Sequence, residues 1–171
     1  MPDTPMNLNV CAVGAVFAFV LASGAFAAAP PPSTCSAGPT VTAEQALQIF
    51  KGNISALKDK AKPSQLPTVF IDPRKVSDYE RAHIPGAINL PIEEGEFTRP
   101  ALWKATSGAA RPVLFYCNGE NCPRSHLACE TAAGFGYKGR IYYFYTGMGP
   151  NGWPRINGPT VSGAEPYPGA R

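Results

Sequence analysis

The stretch Arg111-Pro-Val-Leu-Phe-Tyr-Cys117-Asn-Gly-Glu-Asn-Cys122-Pro-Arg124-Ser125 carries an apolar strand into a polar loop and on into a helix. Val113 to Tyr116 is the strongest strand pattern in the chain. A helix from Arg124 to Phe135 follows, with Leu127, Ala128, Ala132 and Phe135 expected on its inner side and Gly134 and Gly136 ending it. Cys117 stands where strand meets loop, a place that favours a thiolate. Free cysteine has a pKa of about 8.5, and a helix N-terminus plus a cation lower it by one to several units. The loop from Asn118 to Pro123 supplies backbone N–H groups, Pro123 suits a first helical turn, and Arg124 adds a cation. Together they favour an anion: the thiolate, a persulfide or a substrate oxyanion.

Outward from this stretch, strands and helices alternate. Thr68 to Asp72 reads as a buried strand between Pro67 and Pro73, Ala87 to Leu90 as another closed by Pro91, and Ile141 to Tyr145 as a last strong one. In that last strand Tyr142, Tyr143, Phe144 and Tyr145 should alternate between the two faces. Thr42-Ala-Glu-Gln45 matches a capping box and opens a helix expected over Ala43 to Lys51, stopped by Gly52. Shorter helices are expected over Lys75 to Ala82 and from about Pro100 within Phe97 to Thr106. The alternation predicts an α/β fold with a central, mainly parallel sheet and helices on both faces.

At 171 residues the chain has room for one domain with a real core. Residues 10–29 are uncharged and end near Ala25-Phe26-Ala27, so residues 1–27 read as a signal peptide, with a retained membrane anchor as the alternative. Residues 28–40 then form a Pro-rich, poorly packed linker, 41–159 the domain, and 160–171 a surface tail. Export to the periplasm or the cell exterior is the expected setting, one that permits disulfides. The net charge of +3, without a Lys/Arg run, gives no support to nucleic-acid binding, and no membrane contact is expected unless the N-terminal segment is retained.

After cleavage Cys35, Cys117, Cys122 and Cys129 remain, and four cysteines allow three connectivities. Cys117 and Cys122 are close enough to bond if the loop curls, either as a redox switch or as an inert staple. Cys129 reads as a small apolar residue on the inner face of its helix. The spacing of Cys117, Cys122, His126 and Cys129 is not that of the common zinc motifs, so neither a metal nor another cofactor is expected. His126 reads as a solvent-facing helix residue, and His83 as a turn-holding side chain before Ile84-Pro85-Gly86. Asp72 and Arg74 can pair or brace neighbouring loops.

Two further segments complete a pattern. Val69-Phe-Ile-Asp72-Pro-Arg74 through His83-Ile-Pro-Gly-Ala-Ile-Asn89-Leu-Pro91 precedes the cysteine loop, and Gly136-Tyr137, Ile141 to Tyr145, Gly147 and Trp153 follow it. In this order the three blocks resemble the rhodanese-like family. The resemblance implies a sulfurtransferase in which Cys117 takes sulfane sulfur from a donor such as thiosulfate, holds it as a persulfide, and yields it to a thiol or other thiophilic acceptor, small or protein. It assigns donor binding to Asn118, Gly119, Glu120, Asn121, Cys122, Arg124 and Ser125; Asp72, Arg74 and His83 stay structural or accessory, as their own positions suggest. The chain departs from the family pattern in having six residues between Cys117 and Arg124, with Cys122 among them, and in a Pro-Asn-Gly insertion before Trp153. A non-catalytic binding or redox-sensitive module with Cys117 bonded to Cys122 is therefore the alternative. A cysteine-dependent phosphatase ranks below both.

Overall fold

The computed structural model describes residues 1, 29–109 and 111–166. Residues 2–27 of the expected signal peptide lie outside the described residues. Among those described, no helix is long and apolar enough to cross a membrane.

Four parallel strands form the sheet: β1 Val69–Asp72, β2 Ile88–Asn89, β3 Val113–Tyr116 and β4 Ile141–Phe144, in the order β2-β1-β3-β4. Every residue of β1 and β3 is buried, as expected of strands covered on both faces. Their side chains alternate between two layers. Val69, Ile71, Val113, Phe115, Ile141 and Tyr143 pack toward Leu102 and Ala105 of α3 (Arg99–Ala105) and Ala128, Cys129 and Ala132 of α4 (Arg124–Gly134). Phe70, Leu114, Tyr116 and Phe144 face α1 (Ala43–Lys58), α2 (Val76–Arg81) and Trp153. The α/β arrangement is the one the alternation predicted.

Three local expectations are corrected. The first helix does not stop at Gly52 but runs to Lys58. Buried Asn53, in the turn after the glycine, exchanges hydrogen bonds with the backbone of Thr68, and Ile54 and Leu57 add apolar contact. These offset a glycine penalty of about 1 kcal/mol. In α4, Leu127 is exposed, because the inward face runs through Ser125, Ala128, Cys129 and Ala132, at the helical i, i+3, i+4, i+7 spacing.

The third correction concerns the lead-in. Cys129 is not a free apolar residue: it is bonded to Cys35, 94 residues away. Residues 32–40, expected to be poorly packed, lie along β4 and α4. Tyr143 Oη donates to the carbonyl of Pro32 (3.0 Å), the Ser36 amide to Glu130 Oε1 (2.7 Å), and His126 Nδ1 approaches the carbonyl of Thr34 (3.0 Å). His126 is thus half-buried against the lead-in rather than turned to solvent. At the other end, Val161 bridges His83, and the Gly86 amide donates to the carbonyl of Pro166 (2.7 Å), wrapping the tail over the turn after α2.

Candidate active site

In a parallel sheet, loops at the carboxyl ends of strands lead into helices and form the sites. The structure puts Cys117 immediately after β3, below a loop that ends at Arg124, the first residue of α4. Cys117 is fully buried and disulfide-bonded to Cys122, with the two Cα atoms 6.1 Å apart.

The loop is held from below by a second turn. The Met148 amide donates to the Cys117 carbonyl (2.7 Å), and Gly149 lies against Gly119, which has φ +127°. A Cβ on Gly147 would stand 2.2 Å from the Cys117 carbonyl oxygen, and one on Gly119 would stand 2.9 Å from Gly149 Cα. The close approach of the two turns therefore requires glycine. Beyond them, Asn151 Nδ2 donates to Glu120 Oε1 (3.0 Å). Gly147 had a sequence signal in the third segment of the pattern. Asn151 was marked only as part of the Pro-Asn-Gly insertion, and its contact with Glu120 had no signal, because the two lie 31 residues apart.

Arg74 secures the loop from the side. Its Nε and Nη2 bind Asp72 (2.8 and 2.6 Å), Nη2 also binds the Ala82 carbonyl (2.7 Å), and Nη1 binds Asn118 Oδ1 (2.9 Å). Burial works against the Arg74 charge, but the hydrogen bonds and charge of Asp72 prevail and raise its pKa. The guanidinium also sits 5.6 Å from the centre of the Tyr116 ring. Burial, reinforced by the nearby Asp72 charge, holds the Tyr116 phenol well above its ordinary pKa. Asn118 in turn donates to Asp78 Oδ2 (3.1 Å). Arg74, held by Asp72, thus reaches the cysteine loop, whereas His83 does not. It is buried against Tyr79, with Nδ1 2.8 Å from the Tyr79 carbonyl and Nε2 3.1 Å from that of Glu165.

Arg124 is committed in part. Its Nη2 binds Glu93 Oε2 (2.8 Å), a contact that lowers the Glu93 pKa, and its Nη1 lies 3.6 Å from Cys122 Sγ. Its buried Nε has no hydrogen-bond partner, nor has Ser125 Oγ. A cleft of about 610 Å³ opens over the loop, lined by Asn118 to Arg124 with Pro150 and Asn151. Cys122 lines it and Cys117 does not. Asn118 separates this cleft from a second, of about 650 Å³, beside Arg74, Asp78, Arg81 and Met148. The arrangement is a disulfide set beside a cation, beneath an open cleft. Among the described residues there is no cluster of metal-ligating side chains.

A family model, the rhodanese-like domain, matches residues 54–149. No curated protein matches the chain. Among solved structures the chain is similar to a thiosulfate sulfurtransferase from Pseudomonas aeruginosa, with 20% identity over 74% of this chain and a TM-score of 0.52. It spans only 20% of that protein's length, and the likeness speaks for the fold alone. It is also similar to a Rhodopseudomonas palustris protein of unknown function, described as a possible tyrosine phosphatase, with 26% identity over 74% of this chain and 86% of that one and a TM-score of 0.53. A rhodanese with anions from E. coli is 27% identical over 56% of this chain and 99% of its own, with a TM-score of 0.43.

Proposed function

The chain belongs to the rhodanese-like family, and from that premise we propose that it is a sulfurtransferase whose Cys117, once reduced, takes sulfane sulfur from an anionic donor such as thiosulfate and passes it to a thiophilic acceptor. The observation that carries this reading is the placement of Cys117 at the end of β3, in the loop that leads to Arg124 and the start of α4. There the helix N-terminus and the cation favour anionic sulfur. The Cys117 thiolate attacks the outer sulfur of thiosulfate, sulfite leaves with the bonding pair, and a Cys117 persulfide remains. An acceptor nucleophile then takes the outer sulfur and returns the thiolate. Asn118 to Ser125 surround the donor, and Asp72 and Arg74 act as positioning residues through Asn118. The two disulfides fit an oxidising compartment such as the periplasm or the cell exterior.

One observation favours a second reading. With Cys117 bonded to Cys122, the first sulfur has no free valence, as expected of a redox-sensitive accessory module. Mildly reduced protein given thiosulfate and cyanide separates the two. The enzyme reading expects thiocyanate from the native chain and none from Cys117→Ser. A native chain with a free Cys117 thiol that forms no thiocyanate would sink it in favour of the accessory module. The phosphatase suggested by the Rhodopseudomonas palustris neighbour would hydrolyse p-nitrophenyl phosphate in a Cys117-dependent way, and no such hydrolysis is expected.

A further inference from the structure

Cys122, one of the residues around the donor, is a nucleophile to which the sulfur-transfer cycle gives no bond-making step. We propose that it is a second catalytic cysteine, which discharges the Cys117 persulfide as sulfide and closes the disulfide seen in the structure. The inference rests on the sulfurtransferase reading above.

The geometry carries the step. The disulfide shows that Cys122 Sγ reaches bonding contact with Cys117 Sγ while the loop stays closed by its own turn, the Cys122 amide donating to the Gly119 carbonyl (2.9 Å). The Cα separation of 6.1 Å lies within the usual disulfide range of about 4.4 to 6.8 Å. Cys122 therefore occupies on Cys117 the same valence that a sulfane sulfur would occupy. One must displace the other. Arg124 Nη1, 3.6 Å from Cys122 Sγ, favours the thiolate needed for that attack.

The step balances without an outside oxidant. The Cys122 thiolate attacks Cys117 Sγ, the bond from Cys117 to the sulfane sulfur breaks, and that sulfur leaves with the electron pair as hydrosulfide. The two cysteine sulfurs are oxidised to the disulfide as the sulfane sulfur is reduced. Recovery needs a reductant of the thiol class, and the structure indicates where it enters. Cys117 is fully buried while Cys122 lines the cleft, so an external thiolate attacks Cys122 Sγ and Cys117 leaves as thiolate. A second thiol then frees Cys122, yielding the external disulfide. The chain would thus release its sulfur as sulfide, consuming two thiols per turnover.

Full-length protein, reduced and freed of reductant, is mixed with thiosulfate, and sulfite, sulfide and the mass of the Cys117 peptide are followed. Native protein should release sulfite and then an equal amount of sulfide, ending with Cys117 bonded to Cys122. C122S, whatever its rate of sulfite release, should keep one adduct of about 32 Da on Cys117 for each sulfite released. That adduct should live at least about tenfold longer than in the native chain, because the intramolecular nucleophile is gone. Equal persulfide lifetimes in the two proteins, with no sulfide from the native chain, overturn the proposal. Should C122S fail to fold, the native sulfide-to-sulfite ratio decides alone: near one supports the step, near zero overturns it. Failure of sulfite release in both folded proteins overturns the sulfurtransferase reading itself, and the inference with it.

Discussion

Gly147 and Arg74 each have one arrangement available to them. Gly147 has φ +41°, and any Cβ there would meet the Cys117 carbonyl, a backbone atom that cannot swing aside. Gly147→Ala is therefore expected to cost about 2 to 4 kcal/mol in denaturant unfolding, combining strain with a shifted cysteine loop. Gly95→Ala, also at positive φ but with open space around it, should cost only about 1 kcal/mol. Arg74→Ala leaves the Asp72 carboxylate buried with no guanidinium, a loss of about 3 to 5 kcal/mol by the same measurement. The pairing of Asp72 with Arg74 was legible at two residues' separation. The grip of Arg74 on Asn118, 44 residues away, was not, because nothing local in either segment specifies it.

Among the elements, α1 and the lead-in show where local rules lose to tertiary contacts. Gly52 stays helical because neighbours on both sides are anchored, and nothing lies within 4 Å of where its Cβ would be. Gly52→Ala should accordingly stabilise the protein by about 0.5 to 1 kcal/mol, seen as a higher unfolding midpoint with unchanged denaturant dependence. The Cys35–Cys129 disulfide closes a long loop and fastens residues 32–40 across β4 and α4. A C35A/C129A variant is expected to lose about 2 to 4 kcal/mol and to become open to proteolysis in the lead-in, while a variant still protected there would show that hydrogen bonds alone hold it. Helix and strand identities followed from periodicity and caps. The disulfide partners did not, since spacing leaves three pairings open and only the folded layers bring Cys35 beside Cys129.

For the molecule as a whole, two buried phenols, on α2 and β3, both lie in the field of Asp72 at the end of β1. Tyr79, whose hydroxyl donates to the Ala87 carbonyl (2.8 Å), and Tyr116 are both raised above the ordinary value of 10.0, first by burial and then by the Asp72 charge. The unfolded chain ionises them from about pH 10 and the folded chain does not. Their contribution is complete below that pH and is lost as pH rises through the folded-state values. Stability should be flat between about pH 8 and 9.5 and fall above about pH 10, in step with tyrosinate absorbance, and Tyr79→Phe should make the fall shallower. By itself the sequence determined the parallel α/β sheet, the place of Cys117 at a strand end and the family, because strand burial, helix caps and motif order are local patterns. Only the tertiary structure decided which cysteines pair, that Arg74 reaches the cysteine loop, and that Cys122 rather than Cys117 meets the cleft. Those depend on distances between segments far apart in the chain, which packing sets and local sequence does not encode.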